Sequence, residues 1–102
     1  MISRHWTGIS AQDQADAYVS HLKAETFPAL TAMPGFVRAT ILKRDVASGT
    51  EFQVITVWES LDAIRAFAGQ DVEVAVVPPA VREMMVEFEG RATHYEVVHA
   101  TT

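Results

Sequence analysis

An α+β fold, a four-stranded antiparallel sheet with its helices on one face, is predicted by three features of this 102-residue chain. Two neighbouring β-rich runs, Phe36 to Val46 and Thr50 to Glu59, are separated only by Ala47-Ser48-Gly49 and read as a hairpin. An amphipathic helical pattern stands on each side of that hairpin. Short runs rich in Ile, Trp, Thr and Val open and close the chain. Strand and helix, hairpin, then helix and strand is the split βαβ arrangement.

The opening run, ISRHWTGI, stops at Gly8 to Ser10 and reads as the first strand. Ser10 then reads as a helix cap, with Asp13 three residues on as a variant capping box whose carboxylate suits the positive helix end. Ala15, Tyr18, Val19 and Leu22 recur at helical spacing, so one stripe of this helix is buried. Pro28 lacks an N–H and should kink or restart the helix, which Met33-Pro34-Gly35 ends.

A three-residue hairpin loop with Gly last places Val46 opposite Thr50. Leu42 then faces Val54, Thr40 faces Thr56, and Arg38 faces Trp58. The alternate face carries Val37, Ala39, Ile41, Ile55 and Val57, is almost wholly apolar, and is expected under the helices. The other face mixes Arg38, Thr40 and Thr56 with Phe36, Leu42, Val54 and Trp58. Left open to water it would expose a larger apolar patch than a soluble monomer usually tolerates, so a homodimer closing through this face is expected, with a ligand cavity between the two sheets.

Ser60 caps the next helix, in which Leu61, Ile64, Phe67 and Ala68 form the apolar stripe and Gly69 the stop. Asp71 to Val77 is ambiguous between helix and strand. Pro78-Pro79 sets up a further helix, with Val81, Met84, Met85 and Phe88 at helical spacing and Gly90 as its end. Arg91 to Val98 reads as the last strand. The whole is the ferredoxin-like plan, in a single domain spanning 1–102.

Composition excludes several functions. With 49% hydrophobic and 21% charged residues the chain is globular rather than disordered. A net charge of −5 and eight scattered Lys and Arg argue against nucleic acid. The absence of cysteine excludes disulfides, thiolate metal ligands and a thiol nucleophile. Met1 to Thr7 has no long apolar run, so neither a signal peptide nor a membrane span is expected, and the cytoplasm is the default location.

Three stretches carry a resemblance: Met33-Pro34-Gly35-Phe36, the run VITVWESLDAIRAFAG from Val54 to Gly69, and THYEVV from Thr93 to Val98. With the element order, they resemble the antibiotic biosynthesis monooxygenase family, whose members are dimeric α+β barrels. In members that oxidise aromatic polyketides without metal or flavin, the third strand carries an asparagine and a tryptophan. The tryptophan position corresponds to Trp58, whereas the asparagine position is Val54 and the tyrosine of the following helix is Ile64. The haem-degrading branch shares the tryptophan but needs an axial histidine after the second helix, and no His lies between Leu61 and Phe88. At the first-strand position where that branch carries a pocket asparagine stands His5.

The resemblance implies a cofactor-independent monooxygenase acting on a small aromatic or quinone-like molecule, with no cofactor and no metal. Trp58 would stack on the planar ring or else fill the dimer core. Arg38 would hold developing anionic charge or else reach solvent from a packed stem. His5 alternates with Ser3 and Thr7, and His94 with Ala92 and Glu96; either neutral imidazole could take a proton near pH 7. Were the first and last strands neighbours, His5, His94 and Glu96 could approach one another, but without diagnostic metal-ligand spacing. Phe36, Thr40, Leu42, Val54 and Thr56 would line the cavity. Trp6 and Tyr95 are assigned to the helix-covered face, and Met84 and Met85 to the core or rim. The alternative to an enzyme is a non-catalytic dimeric barrel for a small apolar ligand, favoured by Val54 and Ile64; haem binding is a further one.

Overall fold

A computed structural model of residues 1–102 gives the order β1 (Ile2–Ser10), α1 (Ala15–His21), α2 (Phe27–Thr31), β2 (Phe36–Val46), β3 (Gly49–Trp58), α3 (Leu61–Ala68), α4 (Pro79–Met84), β4 (Met85–Phe88) and β5 (Thr93–Glu96). The strands form one antiparallel sheet in the order β2-β3-β1-β4, with β5 also paired to β1. The sheet therefore has five strands where four were expected. The fourth lane is split: β4 pairs with Gly8 to Ser10, β5 with Ile2 to His5, and the Glu89 N–H donates to the Thr7 carbonyl between them.

The extra strand arises because the helix after Pro78-Pro79 stops at Met84. Met85 and Phe88, expected to continue its apolar stripe, lie instead on the strand that pairs with β1. Both remain packed on the core around Tyr18 and Phe52. A period of three or four cannot distinguish a long helix from a one-turn helix followed by a strand when both bury Met85 and Phe88.

Ser10 does not cap a helix. It pairs with Thr50, lies fully buried as the last residue of β1, and its hydroxyl donates to the Ala11 carbonyl at 3.0 Å. A single 3-10 turn, Gln12–Gln14, leads into α1 instead. Between α1 and α2 the backbone widens into a π turn, Leu22–Thr26, where the Phe27 N–H reaches back to the Leu22 carbonyl. Pro28 follows in the first turn of α2, so the expected restart occurs without a break in the chain. α3 matches expectation: the Ser60 hydroxyl accepts from the Ala63 N–H at 3.2 Å, and Gly69 leaves the helix at a φ of 95°.

The hairpin differs by one residue, with large consequences. Only Ala47 and Ser48 form the turn, and Gly49 already pairs with Val46. Gly49 is needed for close approach: a Cβ there would stand 2.0 Å from the Ser10 carbonyl oxygen of the adjacent strand. Shifting the register by one exchanges the faces of β3. Phe52, Val54, Thr56 and Trp58 point toward the helices, and Ile55 and Val57 toward the open face. β2 keeps Ile41 under the helices as expected, and a bulge between Phe36 and Arg38 turns Phe36 inward beside Trp58. Of the four apolar residues assigned to the open face, only Leu42 is there.

Two apolar clusters result. One joins Ala15, Tyr18 and Leu22 of the first helical segment to Phe52, Val77 and Val81. The other joins Leu30, Trp58 and Ile64, with Phe36 and Phe67 around them. No helix is long and apolar enough to cross a membrane.

Candidate functional site

A cavity lies between the sheet and the helices, not on the open face where the expected register would put it. Its interior volume is about 70 Å³, and it opens to solvent at its mouth. Its floor is the inward face of the two central strands: Arg4 and Trp6 of β1, Val54 and Thr56 of β3. Arg4 pairs directly with Thr56, and Trp6 with Val54. Its roof is Tyr18, Leu22, Thr26, Phe27 and Leu30, and its remaining wall is Phe67, Val76, Pro78 and Val81. The π turn brings both Leu22 and Phe27 to the cavity, although they are five residues apart. A shallower hollow sharing Thr26, Leu30, Phe67, Val76 and Pro78 reaches outward to His21, Glu25 and Met33.

The lining is mostly aromatic and aliphatic, with Arg4 its only charged residue. Arg4 is 5% exposed. Its Nη1 donates to the Val72 carbonyl and, at 2.9 Å, to His94 Nε2; its Nη2 donates to the Val74 carbonyl at 2.9 Å. Arginine has only donors, so His94 must present a bare Nε2 and carry its proton on Nδ1. The guanidinium carbon also stands 5.7 Å from the centre of the Phe67 ring. Burial pushes the Arg4 pKa down from its usual value, yet arginine stays charged because that value starts so high.

Burial, then the Arg4 charge and to a lesser degree His5, lower the His94 pKa, against an opposing pull from Glu73. The Tyr18 phenol is pushed well up by burial, so it is neutral at every working pH.

The expected site residues divide. Val54 and Thr56 line the cavity. Trp58 is fully buried one layer behind it: its indole N–H donates to Thr56 Oγ1 at 2.9 Å, and its ring stacks on Phe67 at 5.8 Å and 22°. Phe36 meets Trp58 edge-on at 5.3 Å. Trp58 thus fixes two lining residues without lining the cavity itself.

Arg38, Thr40 and Leu42 are exposed on the edge strand, on the open side, where they do not converge with Trp58. His5 also lies on the open face, with Nε2 2.8 Å from Ser3 Oγ and its ring 5.0 Å from Tyr95. Tyr95, assigned to the helix side, is 57% exposed there, because it pairs with Ser3 rather than with an inward residue. Strands β1 and β5 are neighbours as expected, but they set His5 and His94 on opposite faces, which dissolves the group they would form with Glu96. Trp6 is on the helix side, its indole donating to the Glu89 carbonyl at 2.8 Å.

Arg4 was missed by reading β1 for its polar residues. The signal is its alternation with Ile2, Trp6 and Gly8: an arginine in phase with an apolar face points inward.

Residues 10–77 match the antibiotic biosynthesis monooxygenase family. No curated protein matches the chain. Among solved structures, a monooxygenase from ActVA-Orf6 of Streptomyces coelicolor in complex with nanaomycin D superposes with a TM-score of 0.69 at 20% identity, covering 99% of this chain and 90% of the other. A mutant of SnoaB, a cofactor-independent oxygenase from Streptomyces nogalater, gives 0.68 at 21%, covering 97% and 94%. The haem-degrader MhuD of Mycobacterium tuberculosis, with two haems bound in its active site, gives 0.62 at 20%, covering all of both chains. At these identities the likeness is one of fold.

Proposed function

This chain belongs to the antibiotic biosynthesis monooxygenase family, and from that premise we propose that it is a cofactor-independent monooxygenase acting on a small aromatic or quinone-like molecule in the cavity between sheet and helices. The observation that carries this reading is the set of four ring side chains lining the cavity, Trp6, Tyr18, Phe27 and Phe67, with aliphatic residues making up most of the rest and Arg4, Thr26 and Thr56 its polar groups. Such walls suit a flat ring and exclude water from it. Two of the fold neighbours, the nanaomycin D complex and SnoaB, point to the same class of chemistry.

The reaction balances without a cofactor when the substrate supplies all four electrons. An activated ring CH₂ and O₂ give a ring carbonyl and water; one oxygen atom enters the product and the other leaves with the two hydrogens. Thr56, whose Oγ1 accepts from the Trp58 indole, would donate its hydroxyl proton to a ring oxygen. His94 lies behind Arg4 rather than in the lining, so a proton from the substrate reaches it only past the guanidinium.

The test is oxygen uptake with 1,8-dihydroxyanthrone as substrate. Protein-dependent formation of the quinone, one O₂ per product and insensitive to chelators, is expected. A rate equal to that of buffer or heat-denatured protein across a panel of hydroxylated anthrones and quinols refutes the enzyme.

A second reading, a barrel that binds a small ligand without turning it over, is favoured by one observation: Val54 and Thr56 put no carboxylate or imidazole on the cavity floor. Saturable binding of a non-oxidised aromatic without product distinguishes it. In either case we propose a homodimer through the open face, where Leu42 and Tyr95 are exposed; light scattering at working concentration tests that.

A further inference from the structure

We infer that Arg4 makes the cavity an anion site, so that its ligand is a planar aromatic carrying an ionised oxygen, a carboxylate or phenolate, set against the guanidinium. This rests on the cavity being the ligand site and adds the ligand's charge. Arg4 is 5% exposed, and the ion pairs of the chain, Arg44–Glu51, Arg65–Asp62, Arg91–Asp71 and Arg91–Glu73, leave it out. A buried charge without a counter-ion is expensive unless hydrogen bonds or a partner compensate it. Two carbonyls and His94 take three of its five N–H groups. The Nε–H and one hydrogen on Nη2 remain, and no side-chain polar atom sealed inside the protein lacks a partner, so the free nitrogen has open space beside it. The cavity that Arg4 lines offers such space.

The three bonds also fix the guanidinium plane, which leaves the free donors aimed rather than mobile. A planar oxyanion matches such a fork better than a neutral carbonyl does. Thr56, directly across the β1–β3 pair, offers a hydroxyl to the same ligand oxygen. The Phe67 ring beneath the guanidinium makes a surface on which the ligand ring lies beside the charge instead of over it.

The experiment compares 2-naphthoate with 2-naphthamide, which share a shape and differ by one charge. Binding is measured by calorimetry, and its location by the Trp6 and Trp58 indole N–H signals in a nitrogen–proton correlation spectrum. The intact protein is expected to bind naphthoate at least about tenfold more tightly, with the Trp6 signal shifting. Arg4→Met should bring the two affinities together while naphthamide binding stays within a few-fold. Should that variant unfold, the preference of the intact protein still decides. Equal or reversed affinities, with the Trp6 shift present, overturn the anion site and leave the cavity standing as a ligand site. Absence of binding by both probes overturns the cavity itself.

Discussion

Removing the Thr56 hydroxyl while keeping its shape isolates the contact that holds Trp58 in place. The indole N–H donates to Thr56 Oγ1 at 2.9 Å, and Trp58 is fully buried while Thr56 is 6% exposed. In Thr56→Val the volume is nearly unchanged, so the dominant cost is a buried donor stripped of its partner, about 1–3 kcal/mol. For a domain near 100 residues about 2 kcal/mol lowers Tm by roughly 8–16 °C. Urea and thermal unfolding followed by far-UV circular dichroism, at one fixed protein concentration, measure it. The control is the same substitution in a Trp58→Phe background, which has no N–H to orphan. There Thr56→Val should cost little, giving a coupling of about 1–2 kcal/mol. Equal losses in both backgrounds would refute the assigned bond, and an unchanged midpoint for Thr56→Val alone would show that the indole has another partner.

Gly8→Ala places a Cβ 2.5 Å from Trp6 Cη2 and 3.1 Å from Met85 Sδ, so it should destabilise by about 1–3 kcal/mol through overpacking and alter Trp6 fluorescence; a wild-type midpoint and spectrum would count against this packing. The pH dependence follows from the two histidines of the β1–β5 pair. Both pKa values are held below the ordinary 6.5, His94 by burial first and the Arg4 charge second, His5 by burial. Between 6.5 and those lower values the unfolded chain binds protons that the folded one refuses. Stability present above pH 6.5 should therefore be lost as pH falls through that window. His94→Gln keeps an acceptor for Arg4 but cannot titrate, so it should flatten part of the decline and leave the His5 share; an identical slope would show that His94 plays no part.

Most of the element order was readable because it rests on local signals; the strand β4 in place of a longer helix was not. Ser60 and Gly69 bracket α3 with a hydroxyl cap and a positive φ, and both act within a few residues of themselves. Properties set by distant neighbours were not readable. Gly49 looks like a turn residue, but its missing side chain serves the Ser10 carbonyl, thirty-nine positions away in sequence. Counting it in the loop moved the register by one and turned Trp58, Thr56 and Val54 toward the wrong face. The site inherited that error: Val54 and Thr56 belong to a cavity, but to the one under the helices. Arg38 and His5 follow the same logic in reverse, since polar residues on strands mark the open side more often than the site, and the one charged side chain buried in the sheet is Arg4.

The π turn has a consequence for chain length. Tyr18 and Leu22 are four apart, Leu22 and Phe27 five, yet all three reach the cavity; an α-helix advances 100° per residue and would swing a five-residue spacing well off one side. The wider turn absorbs the additional residue. Deleting Lys23 or Ala24, both exposed, restores a spacing of four, which an ordinary α turn satisfies. The roof of the cavity can thus lose one residue there and keep its inward side chains aligned, whereas the same deletion within α1 would rotate Tyr18 out of the cavity.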